Sequence, residues 1–206
     1  MNTEPLIHVI DDDEPLRTAL LRLLRAAEFD ACGYASAGDL LLNPLPDRPG
    51  CLLLDVRMPG PSGLDLQEAL RRRGVMLPVI FLTGYGDVPT SVRAMKAGAV
   101  DFLTKPVEAE TLFHAVRRAL EIDAVQRAAR EATARLRDRF ASLTPGERDV
   151  FDRIVEGKLN KQIADELGVA ERTVKLWRAQ AMAKLEAGSA AELGRIAEQW
   201  RQLAPD

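Results

Sequence analysis

Five short apolar segments recur along the first half of the chain at intervals of about 25 residues, and this spacing constrains the fold most strongly. Between them lie stretches with helical periodicity, at Pro15 to Ala27, Leu64 to Arg73 and Val88 to Ala97. In the last stretch we expect Val92 and Met95 to face inward. Alternating strands and helices predict a parallel sheet with right-handed crossovers and helices on both faces. The five predicted strands are Leu6 to Ile10, Asp30 to Tyr34, Cys51 to Asp55, Val79 to Thr83 and Asp101 to Lys105.

The pattern changes after Val107, because neither glycine nor proline occurs again before Pro145. Alanine, arginine, glutamate and leucine dominate this stretch, and all four favour helix. We predict one long helix from about Glu108 to about Phe140. Apolar residues recur along it at spacings of three and four, which fits either a solvated connecting helix or a weak dimer seam. The residues of this seam are Ile122, Val125, Ala129, Ala132 and Leu136.

The last 60 or so residues form a separate helical segment, which begins at a capping box made by Thr144 and Glu147. Glycines divide it into four short predicted helices, and the two middle ones are joined by Gly168, Val169 and Ala170. That spacing is typical of a helix-turn-helix. The predicted helices are Pro145 to Glu156, Asn160 to Leu167, Glu171 to Leu185 and Ala190 to Leu203.

Composition narrows the class of protein. The formal net charge is −3, so nucleic-acid binding would need a local basic patch. Residues 158–184 carry six lysines and arginines against three acidic residues, although a solvated charged face would look similar. Two cysteines do not make a disulfide scaffold, and no apolar run is long enough to span a membrane. The N-terminus turns acidic where an export signal would be apolar, so we expect a cytoplasmic protein without a membrane partner.

Carboxylates stand directly after two of the predicted strands. Asp11, Asp12 and Asp13 follow the first strand, and Asp55 ends the third. In the flavodoxin-like strand order 2-1-3-4-5, the first and third strands are neighbours at the point where ligands bind. Carboxylates so close together repel one another unless a cation lies among them, and Mg²⁺ is the cation that such oxygen ligands suit best.

Thr83 and Lys105, at the ends of the fourth and fifth strands, add a hydroxyl and an ammonium to the same rim. A carboxylate nucleophile with Mg²⁺ and a lysine to neutralise charge suits phosphoryl transfer. Any one aspartate could instead cap the following helix. The combination at successive strand ends favours the functional interpretation.

The segments DDDEPLR, LLLDVRMPGPSGLDL, FLTGYGDV, AMKAGAVDF and LTKP resemble the receiver domain of bacterial response regulators, over residues 4 to about 120. The resemblance, strongest to the FixJ branch, implies that Asp55 accepts a phosphoryl group from a sensor histidine kinase. It implies Mg²⁺ held by Asp12, Asp55 and the backbone carbonyl of Arg57, with Asp11 acting through water. It implies catalytic roles for Thr83 and Lys105, a switch made of Thr83 and Phe102, and a cis bond between Lys105 and Pro106. Asp13 is ambiguous, because three aspartates stand where the pattern needs two.

The segments LTPGERDV, NKQIADELGV, RTVK and MAKL resemble the LuxR-type helix-turn-helix of NarL/FixJ regulators. The resemblance implies that Lys175, Leu176 and Ala179 face the major groove. It implies phosphate contacts from Lys161, Arg172 and Thr173, with Arg178 and Gln180 as further candidates, and a dimer contact through the last helix. Two residues depart from the pattern: Ala170 replaces the usual capping Ser or Thr, and Trp177, which we expect to pack under the helix, often corresponds to His.

Together these patterns predict a receiver at residues 4–120, a helical linker at 121–141 and a LuxR-type DNA-binding domain at 142–206. The resemblance implies a two-component response regulator that is phosphorylated, dimerises through a face at about Val88 to Leu120, and binds double-stranded promoter DNA. RNA polymerase is a further candidate partner. The chain would be no enzyme beyond assisting its own phosphorylation and dephosphorylation.

Two alternative functions share parts of this pattern. A dehalogenase-type phosphotransferase needs an aspartate two residues after the nucleophile, where this chain has Arg57. The second alternative is a constitutive DNA-binding regulator whose receiver works without phosphorylation.

Overall fold

A parallel five-stranded sheet forms the centre of the first of two units. The computed structural model describes residues 4–43, 45–84 and 88–203, without the side chains of 88–91, and it divides into Met1–Arg127 and Ala128–Asp206. The strand order β2-β1-β3-β4-β5 confirms the predicted topology. Strands β1, β3 and β4 are buried along their whole length, because helices cover both faces of the sheet. The strands are β1 (Leu6–Ile10), β2 (Asp30–Tyr34), β3 (Gly50–Asp55), β4 (Val79–Thr83) and β5 (Asp101–Thr104).

Helices α1 (Glu14–Ala26), α2 (Ala37–Leu42), α3 (Gly63–Arg72) and α4 (Val88–Lys96) connect the strands. One apolar cluster packs α1 and α5 against the sheet, and another packs α2, α3 and α4 on the other face. Helix α2 was not predicted, because six residues are too few to show a helical periodicity in the sequence. Ser36 caps it, accepting a hydrogen bond from the Asp39 amide at 3.1 Å.

The predicted orientation of α4 was wrong. Val92 is 45% exposed and Met95 is 48% exposed, whereas Ala94 is fully buried. Over nine residues, periodicity alone assigned the larger apolar side chains to the inside. The helix instead turns a small residue toward the sheet, which leaves the bulky ones on the surface.

Helix α5 (Ala109–Ala141) confirms the single long helix predicted after Val107, and it contributes to both units. Ile122 packs against the core of the first unit and Leu136 lies in the core of the second. Between them, Val125 is 71% exposed and the two seam alanines are exposed. The five apolar residues therefore do not form one continuous exposed seam. Among the described residues, no helix combines the length and hydrophobicity needed to cross a bilayer.

A buried carboxylate on α5 holds that helix against the start of β3. Asp123 Oδ2 accepts hydrogen bonds from the Gly50 amide and from Arg127 Nε, both at 3.0 Å. Arg127 also donates to the Arg48 carbonyl and pairs with Asp47 at 2.8 Å. These bonds fix the rotation of α5 about its axis near the end of the first unit, and no local sequence pattern predicts them.

The second unit contains the four predicted short helices: α6 (Pro145–Val155), α7 (Asn160–Leu167), α8 (Glu171–Lys184) and α9 (Ala190–Leu203). The capping box is formed as predicted, with Thr144 and Glu147 bonding each other's backbone amides. Gly168 adopts the left-handed conformation that ends α7, with φ of 65°. The turn between α7 and α8 is therefore a helix-turn-helix, as the spacing indicated.

Ala170 is the N-cap of α8 and makes no side-chain capping bond. Its backbone is extended, with φ −71° and ψ 144°, which is the conformation that a capping serine needs. We expect Ala170→Ser to stabilise the second unit by about 1 kcal/mol, measured by urea unfolding. Ala183→Ser, on the exposed side of the same helix, should have no stabilising effect. Equal stability of the two variants would contradict the prediction.

Glu147 is almost fully buried and pairs with Lys184 Nζ at 2.6 Å. Burial opposes ionisation of Glu147, but hydrogen bonds from Lys184 and Thr144 outweigh it and lower the pKa below its ordinary 4.5. A depressed carboxyl pKa stabilises the folded state above about pH 4.5, and the contribution is lost as the pH falls through the folded pKa.

Lys184→Met should therefore destabilise the second unit by about 2 kcal/mol at pH 7, because it leaves a buried carboxylate without its cation. The loss should shrink at pH 4. Both tryptophans lie in this unit, so tryptophan fluorescence during urea unfolding reports on it selectively. Lys175→Met, which removes an exposed pair with Glu171, should cost under about 0.5 kcal/mol. A pH-independent loss in Lys184→Met would contradict this account.

Candidate functional site: an acidic cluster and a helix-turn-helix surface

Three carboxylates meet where β1 and β3 end. Asp11 is fully buried, Asp55 is nearly so and Asp12 is exposed, yet each offers an oxygen within 4.8 Å of the others. Asp13 lies outside the group, because its side chain caps α1 by accepting a bond from the Leu16 amide at 3.0 Å. Among the three consecutive aspartates, the structure thus brings the first two to Asp55.

Lys105 reaches into this cluster from just beyond β5. Its Nζ lies 2.7 Å from Asp11 Oδ2 and 2.9 Å from Asp55 Oδ2. Burial disfavours the ammonium, but the two carboxylates outweigh it and raise the pKa of Lys105. Burial also raises the pKa of Asp11, an effect that Lys105 partly offsets. The peptide bond between Lys105 and Pro106 is cis, as the resemblance implied.

Thr83 and Phe102, the two residues of the implied switch, lie on the neighbouring strands β4 and β5. Thr83 is buried at the end of β4, and its carbonyl accepts a bond from the Lys105 amide at 2.6 Å. Phe102 is partly buried, with its ring centre 6.4 Å from that of Phe81. Tyr85, Gly86 and Asp87, which belong to the FLTGYGDV segment, lie outside the described residues.

The loop after β3 wraps tightly around Asp55. The Arg57 amide donates to Asp55 Oδ1 at 3.2 Å, which places this backbone beside the cluster while the Arg57 side chain is exposed. Gly63, at the start of α3, donates to the Val56 carbonyl at 3.2 Å. A Cβ on Gly63 would lie 2.3 Å from the Asp55 carbonyl oxygen, so the loop admits only glycine there.

Two contributions to this site were missed by the sequence analysis. Gly63 stands within a motif segment, but its close approach to Asp55 exists only in three dimensions. Arg17 is the last residue of the DDDEPLR segment, but its bond to the Asp11 carbonyl, at 2.6 Å from one turn inside α1, was not predicted. Both residues shape the backbone that presents the carboxylates.

The oxygen donors fit a divalent cation. Asp11, Asp12 and Asp55 offer hard carboxylate oxygens close enough to share one ion, and one of them is exposed, which leaves access for water. Mg²⁺ prefers one or two carboxylates with retained water, and receiver domains typically bind it at such a cluster. The residues present therefore suit this ion.

The second candidate surface is the exposed side of α7 and α8. Six of the eight predicted DNA-binding residues are exposed, and Thr173 and Arg178 are partly buried. Leu176 is 55% exposed. The six exposed residues are Lys161, Arg172, Lys175, Leu176, Ala179 and Gln180.

Two of these side chains are oriented by neighbouring residues to which the sequence analysis gave no functional role. Arg178 donates to Asn160 Oδ1 at 3.2 Å, which links α8 to the first residue of α7. Lys175 pairs with Glu171 one turn earlier, at 3.0 Å. The Lys175 pair is exposed and therefore weak, so it leaves the ammonium available to other acceptors.

Trp177 packs into the core of the second unit, as expected, and its indole lies on Gly146 in α6. A Cβ on Gly146 would stand 2.9 Å from two ring carbons. We therefore expect Gly146→Ala to displace the ring and cost about 1–2 kcal/mol, measured by urea unfolding with tryptophan fluorescence. Gly194→Ala, where a Cβ meets open space within α9, should instead stabilise slightly. Similar effects from both substitutions would contradict the contact.

Comparisons with known proteins find a family match in each of the two units. The family model for the response regulator receiver domain matches residues 7–117, and the model for the bacterial regulatory proteins of the luxR family matches residues 141–197. Nodulation protein W of Bradyrhizobium diazoefficiens is 44% identical over 197 residues, which cover 96% of this chain and 87% of that protein. Transcriptional regulatory protein FixJ of Azorhizobium caulinodans is 43% identical, over 93% of this chain and 90% of its own.

Solved structures lead to the same family. The low-resolution structure of response regulator StyR has a TM-score of 0.89 at 44% identity and covers 95% of this chain and 99% of its own. Full-length FixJ from B. japonicum has a TM-score of 0.58 at 38% identity, over 98% of this chain and all of its own. The chain therefore belongs to the FixJ/NarL-type response regulators, which join a receiver domain to a LuxR-type DNA-binding domain and regulate transcription.

Proposed function

We propose that Asp55 is the phosphoacceptor of this regulator. The observation that supports the assignment is the position of Asp55 beside Asp11 and Asp12, with Lys105 Nζ 2.9 Å from its carboxylate. An Asp55 oxygen attacks the phosphorus of a phosphohistidine on the sensor kinase, the P–O bond forms, and the P–N bond breaks. The released imidazole nitrogen then keeps its electron pair.

Each neighbour of Asp55 has a part in this transfer. Asp11, Asp12, Asp55 and the Arg57 carbonyl would hold Mg²⁺, which neutralises negative charge on the phosphoryl oxygens when it is bound. Lys105 lies close enough to contact the phosphorylated side chain directly. Loss of one carboxylate charge from its pair then leaves its ammonium free to bind a phosphoryl oxygen. The chain assists only its own phosphorylation and dephosphorylation.

The conformational response runs through β4 and β5. The Thr83 hydroxyl moves to the phosphoryl group, and Phe102 shifts into the space that this movement opens. Because the Lys105 amide donates a hydrogen bond to the Thr83 carbonyl, the ends of these two strands move together. The surface formed by α4, β5 and α5 then pairs with a second copy. Exposed Val92 and Met95 supply apolar area to that contact.

The phosphorylated dimer binds a two-fold repeat in double-stranded DNA, with α8 in the major groove. Lys175, Leu176 and Ala179 face the bases, whereas Lys161, Arg172 and Thr173 contact phosphates. Arg178 and Gln180 lie at the edge of the same surface, and Arg178 is held by its hydrogen bond to Asn160. The alternative is a constitutive regulator whose DNA binding ignores the receiver.

Selection of DNA fragments from a random pool tests the proposal. The full chain with Mg²⁺ and beryllofluoride, an acyl-phosphate mimic, should recover a two-fold motif at least about tenfold more efficiently than the chain without it. Lys175→Ala should relax the preference at one position, and Lys161→Ala should weaken binding to all sequences evenly. Recovery of the same motif with equal affinity in both states would favour the constitutive alternative.

A further inference from the structure

A cleft of about 360 Å³ opens in the first unit at the end of the sheet opposite the acidic cluster. Pro78 and Val79 at the start of β4, and Val100 just before β5, form part of its wall. Helices α3 and α5 and the end of α4 supply the rest. Pockets of this size are large enough for a small organic molecule. None of the phosphorylation residues lines it, and of the two apolar residues that the proposed function places in the dimer contact, Met95 lines it and Val92 does not.

The lining combines an apolar interior with two arginines. Leu70, Val79 and Ile122 belong to the interior. Arg71 on α3 and Arg118 on α5 lie at the edge, and both are exposed. Among the ion pairs of the described residues, neither arginine has a carboxylate partner. The cleft therefore presents two cations with their charge uncompensated beside apolar surface.

Two further features indicate that the cleft is adapted to a ligand rather than incompletely packed. Met76 and Met95 line it and are each 48% exposed, and methionine side chains adjust readily to a bound molecule. Gln67 donates weakly from Nε2 to the Ala97 carbonyl at 3.4 Å, while its buried Oε1 has no partner in the described part of the chain. Buried polar atoms without a partner are rare in folded proteins.

We propose that this cleft binds a small carboxylate with an apolar body, independently of the phosphoryl group. The arginines would pair with the carboxylate, and the apolar wall would pack against the body of the ligand. A hydroxyl on the ligand would donate a hydrogen bond to Gln67 Oε1. Such a ligand would contact the end of α4 and the face of α5 that carries Arg118 and Ile122. It would thus give the receiver a second chemical input at the far end of the sheet.

Titration of the full ¹⁵N-labelled chain with 4-hydroxybenzoate, followed by amide chemical shifts, tests this proposal. The probe offers a carboxylate, an apolar ring and a hydroxyl. We expect saturable shifts at Met76, Val100 and Ile122. The neutral 4-hydroxybenzamide should bind at least about tenfold more weakly, because it lacks the charge that the arginines recognise.

A matched pair of double variants separates this site from general charge effects. Arg71→Gln with Arg118→Gln should weaken 4-hydroxybenzoate at least about tenfold. Arg72→Gln with Arg117→Gln removes the same charge from neighbouring exposed positions outside the cleft and should leave binding unchanged. Equal binding by both double variants, or shifts centred on Asp55, would overturn the proposal. Sedimentation with beryllofluoride on the same samples reports separately on the phosphorylation switch.

Discussion

Asp55→Asn is expected to abolish phosphorylation of the chain by small phosphoryl donors and its response to beryllofluoride. The amide that replaces the carboxylate is no nucleophile toward phosphorus, and it cannot bind the beryllium that mimics the phosphoryl group. In the structure, Asp11 is fully buried and held by Lys105 at 2.7 Å, so it is badly placed to substitute. We expect a loss of at least about a thousandfold in phosphorylation rate.

Sedimentation of wild type and Asp55→Asn with Mg²⁺, with and without beryllofluoride, measures the consequence for assembly. Wild type should shift from monomer to dimer, and the variant should not. Asp13→Asn is the matched control, because Asp13 caps α1 outside the cluster and asparagine caps helices equally well. It should behave as wild type. If wild type and Asp55→Asn are both dimers throughout, phosphorylation does not act through assembly.

Gly63→Ala should have the second largest effect. The added methyl carbon would lie 2.3 Å from the Asp55 carbonyl oxygen and 3.2 Å from the Phe81 ring. The first of these is a backbone atom at the end of β3, so relief requires movement of the loop that carries Asp55. We expect a loss of about 3 kcal/mol of stability in the receiver, together with slower phosphorylation, in circular dichroism unfolding and phosphotransfer assays.

Gly38→Ala serves as the comparison for Gly63→Ala. Gly38 lies inside α2, and a Cβ there makes an ordinary 3.5 Å contact with the Ser36 hydroxyl. Alanine favours helix over glycine by up to about 1 kcal/mol, so this variant should be as stable as wild type or more so. Normal stability and phosphorylation in Gly63→Ala would show that the loop relaxes freely and that the close contact is unimportant.

Local and periodic features of the structure were predictable from the sequence. The alternation of apolar segments and amphipathic stretches predicted a parallel sheet with helices on both faces. Right-handed crossovers leave few strand orders for such a sheet, and the flavodoxin-like order that we adopted among them is confirmed. Asp11 and Asp55 were expected together because both follow neighbouring strands at the same edge of the sheet. The uninterrupted run of helix formers predicted α5, and the capping box predicted the start of α6. Each of these depends on residues close in sequence or on a general rule of topology.

Other features were decided by tertiary structure. The Asp123 carboxylate accepts a hydrogen bond from the Gly50 amide, 73 residues away in sequence. The Trp177 ring on α8 packs on Gly146 in α6. Helix α4 buries Ala94 rather than its larger apolar residues Val92 and Met95. The room between the helix and the sheet decides which side chain fits there, and the sequence of the helix alone does not reveal it. The sequence alone thus determined the order of the elements and which residue types carry the chemistry. Packing between distant segments decided how each helix is rotated about its axis, which atoms approach each other closely, and where the cleft opens. These features depend on the space that several elements leave between them.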